Sequence, residues 1–138
     1  MIVYAVIDTN VIVSAMLSSH DDAATVQVVE KLFTGEIISL YSAEILDEYY
    51  NVLHRDKFPF SEDDVNGMLS AIEKYGICVD AAPSREILPD MKDLPFYEVV
   101  LEKRDDDSYL ITGNIKHFPQ KPFIVTASQM LDILSLLS

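Results

Sequence analysis

The decamer MIVYAVIDTN, residues 1–10, runs through seven uncharged residues and then delivers Asp8, Thr9 and Asn10. Residues 2–7 read as a short strand buried on both faces, as parallel sheets require. A carboxylate at the point where such a strand leaves the core is costly unless it is solvated, paired or bound to a cation. Asp8 needs partners, and they must come from elsewhere in the chain.

Outward from this strand, helices and strands alternate. VIVSAMLSS (11–19) leads into a first helix or turn, and AATVQVVEKLFTGE (23–36) fits a second helix with Val26, Val29 and Phe33 on one face and Gly35 as its stop. EIISLYS (36–42) is a second strand. Ser42 caps a helix over 43–55 with an apolar stripe of Ile45, Tyr49, Val52 and Leu53. Ser61 caps another, ending near Gly76, whose first turn carries Glu62, Asp63 and Asp64 where the dipole favours acids. ICVDAA (77–82) is a third strand, and a proline-punctuated loop then reaches Asp93 and the helix LPFYEVVLEKR (94–104), with Pro95 in its first turn. SYLITGN (108–114) and KPFIVTA (121–127) complete five strands before a terminal helix. This order predicts one three-layer α/β domain over residues 1–138, with a mostly parallel central sheet flanked by helices.

In open α/β sheets ligands bind beyond the carboxyl ends of the strands, near the point where strand order reverses. Asp8 follows the first strand and Thr112, Gly113 and Asn114 follow the fourth, so DTN and TGN are expected to face each other across one crevice. Asp93, at a helix N-terminus, enters from the same edge. Glu44 and Glu48 share a helix face, and one of them is expected to look inward. Such an oxygen-rich cluster suits Mg²⁺ or Mn²⁺. Each residue also has a plain reading: Asp8 and Asn114 as turn residues, Glu48 as a solvated helix acid, Asp93 as an N-cap. Asp105, Asp106 and Asp107 read as a solvated loop.

Composition sets limits. With 23 Asp and Glu against 10 Lys and Arg, the net charge is −13, and such a chain repels polyanions. Chemistry on a nucleic acid would need a bound cation or a local basic strip, such as HRDKF (54–58) or IKHFPQK (115–121). No run of eighteen apolar residues and no secretory signal is present, so a cytoplasmic protein without membrane attachment is expected. The single cysteine, Cys78, is expected to be a buried, inert thiol.

The segments VIDTNVIVSAML, YSAEILDEYYNVLHRDKF, PDMKDLPFYEVVL and YLITGNIKHFP, in this order over nearly the whole chain, resemble the PIN-domain family, above all its VapC-like toxin components of bacterial toxin–antitoxin systems. The resemblance implies a compact α/β fold and a metal-dependent ribonuclease. It also implies Asp8, Glu48 and Asp93 as the catalytic, metal-binding acids, with Asp90 as a neighbour of Asp93. Asn114 stands where much of the family has an acid. Its amide can ligate a metal or hold its water but brings no charge, so a second cation would bind weakly. Asn10 and Thr112 are expected to support the site.

The expected activity is cleavage of single-stranded RNA by metal-activated water, with no histidine needed as base; Lys116 or His117 is a candidate for a phosphate contact. An antitoxin protein is an expected partner, and a homodimer is drawn from the resemblance alone. The rival is a non-catalytic module whose acidic crevice docks a basic partner such as an antitoxin. A haloacid-dehalogenase-type phosphotransferase would need Asp at position 10, and no G-x-G-x-x-G follows the first strand to bind a dinucleotide.

Overall fold

In a computed structural model that describes residues 2–137, five strands form one all-parallel sheet. The strands are β1 (Val3–Ile7), β2 (Ile37–Tyr41), β3 (Ile77–Cys78), β4 (Tyr109–Ile111) and β5 (Ile124–Val125), in the spatial order β3-β2-β1-β4-β5. The connecting helices are α1 (Thr9–Leu17), α2 (Ala24–Thr34), α3 (Ala43–Leu53), α4 (Glu62–Tyr75), α5 (Leu94–Glu102) and α6 (Ala127–Leu137). α5 lies against β1, β2 and β4, while α2 packs against β2, α1 and α6. The parallel three-layer α/β architecture expected from the sequence is the one observed.

β1 sits at the centre because almost all of its side chains are apolar. Ala5, Val6 and Ile7 are wholly enclosed, and Ile7 pairs in register with Ile111 while Val3 pairs with Ile37. From β1 the chain proceeds outward to β2 and β3, then returns across the sheet to β4 and β5. The order therefore reverses between β1 and β4. Their carboxyl ends form the cleft where such folds hold ligands.

Local signals set the helix boundaries. The Ser42 hydroxyl accepts from the Ile45 N–H, and Ser61 from that of Asp64, so both serines satisfy free amides at helix starts. Gly35 closes α2 with φ of 84°, a conformation favouring glycine. Gly76 is required for a different reason: a Cβ there would stand 2.6 Å from the carbonyl oxygens of both Ile72 and Ser39.

Three expectations need correction. The buried face of α2 is Val28, Val29 and Leu32, and Phe33 is half exposed beside Tyr75. Cys78 is exposed, because β3 is an edge strand of only two residues. The last three strands are shorter than their apolar runs. Backbone bonds from Val79 to Tyr41 and from Thr112 to Val125 continue the pairing beyond the strand ends. Among the described residues no helix is long and apolar enough to cross a membrane.

Candidate functional site

The cleft at the switch point has a volume of about 310 Å³ and is walled by Asp8, Glu48, Asp90, Asp93 and Asn114, with Asn10 and Thr9 at its base. Four elements bring these residues together. β1 ends directly at Asp8, α3 presents Glu48 one turn beyond the exposed Glu44, and a short 3-10 turn, Met91–Asp93, carries Asp93 into the start of α5. Asn114 follows β4. Glu44 faces a different depression, between α3 and α5.

Asp8 is buried and held by the two motifs expected to meet. Its Oδ2 accepts from the Thr112 hydroxyl at 2.7 Å and from the Asn10 amide at 3.3 Å. Asn10 in turn accepts from the Gly113 N–H at 3.1 Å, and the Asn114 N–H donates to Thr112 Oγ1 at 2.9 Å. DTN and TGN are thus stitched across the β1/β4 junction. Thr9 has its own role: its hydroxyl donates to Glu48 Oε2 and orients that carboxylate. Tyr49, the next residue on α3, is fully buried and donates its hydroxyl to the Ile7 carbonyl, anchoring α3 to the end of β1.

Asp93 occupies the start of α5 without capping it, since its side chain accepts no backbone bond there. The capping acid is Asp90, which accepts from the Lys92 N–H and starts the 3-10 turn. Asp93 Oδ2 is buried and has no hydrogen-bond partner. His117 Nδ1 lies 3.4 Å from it, longer than an ordinary hydrogen bond; protonated, the imidazole forms an ion pair that lowers the pKa of Asp93.

Burial is the largest influence on all three central acids, and it raises the pKa of Asp8, Glu48 and Asp93 above the ordinary carboxylate range. Mutual repulsion adds to this: Asp93 raises Asp8, Asp8 raises Glu48, and Asp90 raises Asp93. The hydroxyls of Thr112 and Thr9 work the other way, lowering Asp8 and Glu48 respectively, as does the Arg55 charge on Glu48.

Hard oxygen donors, an unpartnered buried carboxylate oxygen and destabilised negative charge fit a divalent cation such as Mg²⁺ or Mn²⁺. Among the described residues no three Asp, Glu, His or Cys side chains close on a single ion. The arrangement suits a hydrated cation held through one or two carboxylates, the usual manner of Mg²⁺. Asp8 and Asp93 would supply those carboxylates, with Glu48 holding a water of the cation or joining them and Asn114 at the rim.

Arg55, Phe58, Lys92 and His117 also line the cleft; of these only His117 is a site candidate from the sequence, as a phosphate contact. The basic strips HRDKF and IKHFPQK were the available signal, since three of the four lie in them.

The PIN-domain family model matches residues 4–116, from β1 through the turn after Asn114. No curated protein and no solved structure matches the chain. PIN domains are in general metal-dependent nucleases, and the match covers every acid of the cleft. By its sequence, and with an α/β fold consistent with it, the chain belongs to the PIN-domain family.

Proposed function

We propose that this PIN domain is a Mg²⁺- or Mn²⁺-dependent endoribonuclease that hydrolyses single-stranded RNA, of the toxin-like kind. The observation that carries the reading is the gathering of Asp8, Glu48 and Asp93, from three distant segments, around one cleft at the sheet's switch point. Bringing such acids together is destabilising in itself, which favours a cationic occupant.

When bound, a divalent ion supplies a water of lowered pKa and neutralises charge on the phosphodiester. The chain's own groups position the reaction. Thr112 and Asn10 fix the rotamer of Asp8 by donating to its Oδ2, and the Thr112 bond offsets part of the rise in pKa that burial causes. Thr9 holds Glu48 toward the cleft, where its carboxylate orients a water or joins the cation's shell. Asp93 offers a buried oxygen that makes no hydrogen bond and has only the His117 ring beside it, and Asn114 contributes a neutral amide.

The test is RNA cleavage by the native chain and by Asp8→Asn and Asp93→Asn in the presence of Mn²⁺. Loss of cleavage in both variants supports the reading, and unchanged metal-dependent activity in both eliminates the site.

A second reading draws on the same cleft. Among the described residues no three acids close on one ion, and the chain is strongly acidic, features that also suit a non-catalytic surface docking a basic partner such as an antitoxin. Mn²⁺ titration separates the two, because a docking surface has no need of a defined metal stoichiometry.

A further inference from the structure

In a chain of net charge −13, cations close to the acidic cleft need an explanation. Arg55 and Lys92 stand on its walls, both exposed, and neither closes an ion pair with the acids beside it. Arg55 belongs to the loop between α3 and α4, where it is followed by Asp56, Lys57 and Phe58. The Phe58 N–H donates to the Arg55 carbonyl at 3.0 Å, a tight turn that brings guanidinium and ring to the same cleft.

Phe58 is the unusual member. Phe60 packs against the core, and Phe58 stacks on it nearly parallel, with ring centroids 5.3 Å apart and an interplanar angle of 19°. Phe58 itself is half-buried and forms cleft wall, with the Lys57 ammonium 5.1 Å from its centroid. The base of the loop is clamped: His54 bonds the Tyr50 carbonyl at 2.7 Å through Nδ1 and the Glu62 carboxylate at 3.1 Å through Nε2, tying the end of α3 to the start of α4. The clamped loop thus presents a supported aromatic ring and the Arg55 guanidinium to the cleft, and Lys92 adds a second cation from the turn before α5.

We propose that Phe58 is a stacking platform for a nucleobase next to the scissile phosphate, with Arg55 and Lys92 contacting the flanking phosphates. The proposal rests on the nuclease reading and adds to it the positioning residues for a single strand. An aromatic face accepts any base and neighbouring cations follow the backbone, the combination by which single strands are held without sequence readout. A basic peptide, the occupant in the docking reading, gains nothing from two further cations in the cleft. Only an unpaired base can reach such a ring, since bases in a duplex are already stacked.

The chain contains no tryptophan, so Phe58→Trp places its single indole at the platform. In an Asp8→Asn background, a ten-nucleotide oligoadenylate should quench that fluorescence, and an abasic strand of equal length should leave it nearly unchanged. By anisotropy of the labelled oligoadenylate, Phe58→Ala and Phe58→Leu should weaken binding by about tenfold while Phe58→Trp retains it. Arg55→Gln and Lys92→Gln should each flatten the salt dependence of binding. The native chain provides an arm independent of any variant's folding: it should prefer the oligoadenylate to the abasic strand.

RNA that is bound and cut by the native chain, with equal affinity for base-bearing and abasic strands and no effect of Phe58→Leu, would overturn the platform and leave the nuclease reading standing. A native chain that neither binds nor cuts RNA would overturn both. Indole quenching by an oligoarginine peptide and not by the oligonucleotide would overturn the platform in favour of a basic protein partner.

Discussion

The hydroxyl of Thr112 donates to Asp8 Oδ2 at 2.7 Å, joining residues 104 positions apart across the β1/β4 junction. The Thr112 hydroxyl oxygen also accepts the Asn114 N–H, so one side chain braces both the buried acid and the turn that follows β4. Thr112→Val preserves volume and removes both contacts. It should lower metal affinity and RNA cleavage by about 10–100-fold, the usual effect of losing a group that orients a metal ligand. Titration with Mn²⁺ and a cleavage assay check this; native values in both would show that Asp8 needs no brace.

Asp8→Asn is expected to separate stability from function. The amide oxygen can keep both hydrogen bonds while the buried charge disappears. The metal-free variant should melt above the native chain, and the rise in melting temperature given by Mn²⁺ should shrink. Thermal scans with and without Mn²⁺ decide it, and equal metal-induced shifts in the two proteins would count against a role for Asp8.

The raised acids give a pH dependence of definite sign. Burial, the largest cause, lifts the folded-state pKa of Asp8, Glu48 and Asp93 above their unfolded values, so the native state holds these protons more tightly. Their contribution to metal-free stability is greatest below about pH 4 and falls as pH rises through the raised values. Metal must displace the same protons, so stabilisation by Mn²⁺ should grow through that window. Melting curves from pH 4 to 8 with and without Mn²⁺ should diverge with rising pH, and less so in Asp8→Asn. A constant gap would contradict the assignment.

Asn114→Asp adds a carboxylate at the rim of the cleft. It should tighten Mn²⁺ binding several-fold and lower the melting temperature of the metal-free protein, because a fifth carboxylate joins Asp8, Glu48, Asp90 and Asp93 in the cleft. Calorimetric titration reads the first effect and a thermal scan the second. Unchanged affinity would place position 114 outside the cation's reach.

Tyr49→Phe probes how α3 is fixed to β1. Removing the buried hydroxyl that donates to the Ile7 carbonyl should cost about 1–2 kcal/mol in urea denaturation. A variant as stable as the native chain would show that apolar packing alone sets this contact.

Much of this architecture is legible in the sequence because its determinants are local. Alternating apolar runs and helix-starting serines give the element order, and that order brings DTN and TGN to one junction before any coordinate is known. What stays hidden depends on tertiary placement. The exposure of Cys78 follows from β3 being an edge strand, which no local pattern specifies, and Phe33 turns outward because Val28, Val29 and Leu32 make the better inward stripe. The same holds for the Thr9–Glu48 bond and for His117 beside Asp93, which require α3 and the turn after β4 to be set against the end of β1.

The most direct measurement is Mn²⁺ binding to the full chain by calorimetry and electron paramagnetic resonance, compared among the native protein, Asp8→Asn, Glu48→Gln and Asp93→Asn. Saturable binding at a defined stoichiometry in the native protein, weakened by each substitution, is the expected result. Native-like Mn²⁺ binding in all three variants, or none in the native protein, would contradict it.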